Sequence, residues 1–104
     1  MPLFTFRGVP EEKVQEYFKK VGEIAQLVNA DVKQFVFWCE DTKLIGNGYD
    51  KDAIYVSIEW KGRPLKQEVV TMHIQEFFGS LSKHIYVKFT EINSFLYING
   101  DVID

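Results

Sequence analysis

One hundred and four residues fit a single domain, 1–104, and leave no room for a second independent core. Hydrophobic residues at 46% supply a packed interior, while a net charge of −3 lacks the basic excess of a general nucleic-acid surface. The lone Cys39 excludes an intrachain disulfide and fits a reducing, cytoplasmic setting. No apolar run reaches bilayer-spanning length, and no basic-then-apolar signal pattern opens the chain, so no membrane partner is expected.

In chain order, Leu3 to Arg7 alternate as a short strand that Gly8-Val9-Pro10 turns. Pro10 suits the first helical position, and Glu11 and Glu12 favour the positive end of a helix. Val14, Tyr17, Phe18, Val21, Ile24, Ala25 and Val28 then recur at the spacing of one apolar face. They predict a single helix closed by Asn29 to Asp31. "QFVFWCE" reads as a second strand, with Phe35, Phe37 and Cys39 on one face and Val36 and Trp38 on the other. Cys39 there is a buried apolar thiol.

The second half repeats that order after a connector, "DTKLIGNGYDKDA", rich in turn residues. "AIYVSIEW" puts Ile54, Val56, Ile58 and Trp60 on one face of a strand. Val70, Ile74, Phe77 and Leu81 make a helical stripe ended by Gly79, and "HIYVKFTEI" is the partner strand. The junctions repeat too: "FRGVP" at Phe6 to Pro10 and "WKGRP" at Trp60 to Pro64 both read aromatic, cation, glycine, any residue, proline. A βαβ unit therefore recurs, and the expected fold is α+β: βαββαβ, a four-stranded sheet with two helices on one face. Asn99-Gly100 adds a C-terminal hairpin of type I′. Two helices cover only one face of such a sheet. Its second apolar face calls for another subunit, because large bare apolar patches are uncommon on monomers.

Two βαβ units in a chain opening "MP", with the proline beginning the first strand, resemble the tautomerase superfamily, which includes macrophage migration inhibitory factor and the small oxalocrotonate tautomerases. Within it, "MPLFTFRGV", "IEWKGR" and "YING" are similar to an uncharacterised branch known only as a domain of unknown function. The resemblance implies a homotrimer with sites at subunit boundaries, and an amino-terminal proline, freed by removal of Met1, acting as general base. Pro2 matches that proline. A free α-amine titrates at about 7.7–8.0, and an apolar pocket with nearby cations lowers it toward the range where a base works best.

By the same resemblance, Tyr86 falls at a catalytic tyrosine, while Lys88 stands where the relatives carry an asparagine. Lys61 and Arg63 lie where related dehalogenases and decarboxylases place arginines. The lysine used before the second strand has no direct match: its register position is Asp31, with Lys33 two residues on. Arg7 ends the first strand and offers a planar cationic fork for a carboxylate, or else pairs structurally with Glu59 or Glu91. Together Pro2, Arg7, Lys61, Arg63 and Lys88 would make a cationic pocket for a small enolisable carboxylate. The function so implied is that of a tautomerase or isomerase. The alternatives are a non-catalytic oligomeric scaffold of the same fold, and a ferredoxin-like dimer in which Pro2 is incidental.

No cofactor or metal is expected. His73, which edges the second helical stripe, and His84 are too isolated to share an ion, and Cys39 has no ligand spacing around it. "GNG" lacks the lysine and helix of a phosphate loop. Phe35, Phe37 and Trp38 lack the glycine-and-basic motif of an RNA-binding sheet.

Overall fold

A computed structural model describes residues 2–46 and 52–103, with Ile103 described by its backbone alone. The turn-rich 47–51 part of the connector, and with it most of "GNG", lies outside the described residues. The elements are β1 (Leu3–Arg7), α1 (Glu11–Phe18), α2 (Val21–Val28), β2 (Val36–Glu40), β3 (Ile54–Trp60), α3 (Gln67–Phe78), β4 (Ile85–Glu91), β5 (Leu96–Ile98) and β6 (Asp101–Ile103). Short 3-10 turns precede β2 at Val32–Gln34 and α3 at Pro64–Lys66.

The sheet runs β2-β1-β3-β4, with β1 parallel to β2, β3 parallel to β4, and the two units joined antiparallel through β1 and β3. Each βαβ unit thus pairs its own two strands directly. A ferredoxin-like sheet splits its βαβ units by inserting a strand between the pair, so that arrangement is excluded. All helices cover one face. Phe4, Phe6, Val56, Ile58 and Trp60 point into it with no exposed surface, against Tyr17, Ile24, Val70, Ile74 and Phe78, also fully enclosed. Strand alternation and the helical stripes supply both sides of that core.

The first helix departs from its expected form: it is broken at Lys19 and Lys20. Their amides reach back only three residues, to the carbonyls of Glu16 (3.2 Å) and Tyr17 (2.9 Å), the tighter 3-10 spacing. Gly22, a weak helix former, opens the first turn of α2. The break leaves Phe18 at the rim of the core rather than inside it. Pro10 caps α1 in extended conformation and precedes the first helical residue. In α3, Phe78 takes the core position expected of Leu81, which is exposed beyond the helix end.

Where α1, α2 and α3 meet, the Tyr17 hydroxyl lies 2.8 Å from His73 Nδ1, and His73 Nε2 lies 2.9 Å from Glu23 Oε1. His73 does edge its stripe, and it ties three helices together. Burial first, then the Glu23 charge, pushes the Tyr17 phenol up, which keeps it neutral. Cys39 donates to the Val9 carbonyl at 3.4 Å, and desolvation raises its thiol pKa, but the thiol expected to be buried is only half-buried, at the rim of the core.

The hairpin β5-β6 forms its own two-stranded sheet. Asn99 and Gly100 both have positive φ, 54° and 85°, the type I′ geometry expected of Asn-Gly. Among the described residues, no helix is long and apolar enough to cross a membrane.

Candidate functional site

Pro2 lies at the head of β1 with its side chain fully buried, and its carbonyl accepts a 3.1 Å hydrogen bond from the Val36 amide. The antiparallel register pairs Leu3 with Glu59, so one step earlier Pro2 stands beside Trp60. Pro2 shares the parity of Phe4 and Phe6 and belongs to the apolar, helix-covered side. Lys61 and Arg63 follow Trp60 directly, so this end of the sheet gathers Pro2 and two of the expected cations.

The order here comes from Glu91, the last residue of β4. Its Oε2 accepts from the Trp60 indole Nε1 and from Gln67 Nε2 (3.1 Å), and its Oε1 accepts from the Arg63 amide (3.1 Å). Desolvation raises its pKa, but these three donors and the Arg63 charge outweigh that and hold the carboxyl below its usual range. The Arg63 guanidinium turns inward. Nε donates to the Val28 carbonyl (3.3 Å) at the end of α2, and Nη1 donates to the Lys61 carbonyl (3.0 Å). A cation there also suits the negative end of the helix. Lys61 Nζ sits 5.6 Å from the centre of the Phe95 ring, which leads into the hairpin. An open concavity of about 600 Å³ runs over Val28, Lys61, Arg63 and Lys66.

The other expected residues lie elsewhere. Arg7 ends β1, five residues from Pro2, or about 17 Å at the rise of a strand. Its Nε bonds Glu40 Oε1 at 2.5 Å, so its partner is neither Glu59 nor Glu91. Tyr86 starts β4 at that same end, its ring 6.5 Å from Tyr55, over which the Arg7 guanidinium sits at 5.6 Å. Lys88 stands mid-strand on the open face, registered with Ser57. Asp31 caps the turn before β2 by accepting from the Lys33 amide at 2.9 Å. Within one chain the expected constellation is thus split between the two ends of the sheet. Sequence reasoning missed Glu91 and Gln67 as organisers of the Pro2 end. Their partners are set by strand register, and the only available signal was a glutamate closing each second strand.

Two parallel βαβ pairs joined antiparallel, with a proline heading β1 beside the end of β3, make a fold of the macrophage migration inhibitory factor type. The chain belongs to the family "Domain of unknown function (DUF1904)", whose model matches residues 1–102. It is similar to a crystal structure of a DUF1904 domain from Sebaldella termitidis, at 18% identity and TM-score 0.86, covering 99% of this chain and 100% of that one. It is similar also to a protein of unknown function from Vibrio cholerae (21%, TM-score 0.83, covering 98% and 87%). A macrophage migration inhibitory factor-like protein from Entamoeba histolytica shares the fold as well (15%, TM-score 0.77, 98% of each chain). No curated protein matches the sequence.

Proposed function

We propose that this protein is a tautomerase-type isomerase of a small enolisable carboxylate, with Pro2 as general base once Met1 has been removed. The observation that carries the reading is the place of Pro2: a fully buried ring heading β1, beside Trp60, at the sheet end that gathers Lys61 and Arg63. The shared fold of the migration inhibitory factor-like protein supports it.

A freed proline amine in apolar surroundings resists protonation, so it titrates below the ordinary α-amine range of about 7.7–8.0 and is a competent base near neutrality. It would take the proton from the carbon beside the substrate carbonyl and return it to the enolate. The Lys61 ammonium would hold the carboxylate. Arg63, engaged with two main-chain carbonyls, would fix the Lys61 backbone rather than touch the acid. Tyr86 and Lys88 would join Pro2 only across a subunit boundary, so a homotrimer is part of the proposal. The half-exposed Trp38 and Tyr86 on the uncovered face and the exposed Phe95 and Tyr97 of the hairpin favour such an assembly.

The test compares protein with and without Met1, each confirmed by intact mass, in keto–enol exchange of a panel of small α-keto acids. Processed protein should accelerate exchange. Pro2→Ala and the Met1-retaining form, whose Pro2 nitrogen is an amide without a free lone pair, should not. Equal activity in all three forms would sink the proline mechanism. The second reading, a non-catalytic scaffold, is favoured by the engagement of Arg7 with Glu40 and of Arg63 with main-chain carbonyls.

A further inference from the structure

The Arg7 end of the sheet holds a cleft of about 420 Å³, within the range of roughly 300–1,000 Å³ typical of small-molecule sites. Its floor is apolar: buried Ile54, the side chain of Leu44, and the Tyr55 and Tyr86 rings, inclined by 29°. Two cations, Arg7 and Lys43, line it, and among the described residues no lining residue is acidic. We propose that this cleft binds a small carboxylate carrying a planar apolar tail.

The state of Arg7 is the main argument. Glu40 accepts from Nε, and the guanidinium rests over the Tyr55 ring. Both contacts fix the plane of the fork. Among the described residues the two terminal nitrogens make no hydrogen bond or ion pair, so the end-on edge that binds a carboxylate bidentately is presented already oriented. Glu40 offsets the Arg7 charge. Lys43, exposed and with no ion pair among the described residues, restores a positive balance in the cleft. Beyond the fork, the half-exposed Tyr86 ring is an apolar surface on which a flat tail can lie.

Gly8, at φ 79°, closes the cleft's back wall. A Cβ there would stand 2.4 Å from the Ala53 carbonyl oxygen, so the glycine lets the turn after β1 approach β3 closely. The cations and rings all belong to one chain, at the end of the sheet opposite its own Pro2. Of these groups only Tyr86 also enters the proline mechanism, across a subunit boundary, so binding through Arg7 and Lys43 does not rest on it.

The experiment titrates 3-phenylpropanoate, and separately 3-phenylpropanol, into Met1-retaining protein while following backbone amide shifts. Using that form keeps this test independent of the proline chemistry. The acid should shift Gly8, Thr42, Lys43 and Ala53, and should bind at least about tenfold more tightly than the alcohol, which keeps the ring and lacks the charge. Arg7→Met and Lys43→Gln should each weaken the acid and leave the alcohol unchanged. Arg7 is half exposed, so these variants should stay folded, as the unchanged remainder of the spectrum would show. Equal binding of acid and alcohol, shifts centred on Lys61 to Lys66 instead, or no response to the acid up to about 10 mM would each overturn the assignment.

Discussion

The two βαβ units end their paired strands in the same way and to different effect. β1 closes with Arg7 registered to Glu40, the last residue of β2; β3 closes with Trp60 registered to Glu91, the last residue of β4. In both units the glutamate clamps its partner, through the Arg7 Nε in one and the Trp60 indole in the other. The strand ends differ by one step relative to the repeated glycine, since Gly8 follows Arg7 directly while Lys61 separates Trp60 from Gly62. A one-residue step reverses the face of a strand. The first clamp therefore lies on the open face, half exposed, and the second lies at the edge of the core. The same carboxylate makes a surface ion pair in one unit and an organised junction in the other.

The largest test of that contrast is truncation of the clamped residue. Trp60→Ala empties a fully buried indole site and removes one of the three donors to Glu91, so a loss of about 3–5 kcal/mol in denaturant unfolding is expected. Arg7→Ala should cost no more than about 1 kcal/mol, the usual worth of an exposed pair. Comparable losses at the two sites would break the contrast.

Next come the two junction glycines. Gly8 and Gly62 both sit at positive φ, 79° and 70°, but an added Cβ at Gly8 meets the Ala53 carbonyl while one at Gly62 meets nothing within 4 Å. Gly62→Ala should cost only the left-handed backbone term, about 1–2 kcal/mol, and Gly8→Ala distinctly more, because β3 must also shift. Thermal melts of the two variants provide the ranking. A reversed order would mean that the turn after β1 relaxes freely.

A smaller effect concerns pH. The folded Glu91 pKa is lowered, so its contribution is present above the unfolded carboxylate value of about 4.5 and is lost as pH falls through the folded pKa. Glu91→Gln should therefore reduce stability near neutrality, and its difference from wild type should shrink below about pH 4.5. A difference that stays constant with pH would show that the carboxylate charge plays no part in the junction.

The core was legible in the sequence because burial follows parity. Ile54, Val56, Ile58 and Trp60 alternate, and all four prove buried. The repeated glycine and proline marked both turns, and Asn99-Gly100 marked the hairpin, for the same local reason: few residues tolerate those backbone angles. The break at Lys19 and Lys20 was hidden, since a tightened turn leaves the apolar spacing of Val14, Tyr17, Ile24 and Val28 almost unchanged. Of the candidate site, the adjacency of Lys61 and Arg63 to Pro2 followed from strand order once the sheet was known. The inward turn of Arg63 toward Val28 did not.

The sequence by itself determined the order of strands and helical segments, which face of each strand is apolar, and that the unit is doubled, because propensity, periodicity and turn chemistry act over a few neighbouring residues. Only the tertiary structure decided that Arg7 and Tyr86 share one end of the sheet while Pro2, Lys61 and Glu91 share the other. Those placements depend on register between strands far apart in the chain, where a shift of one residue changes both the partner and the face.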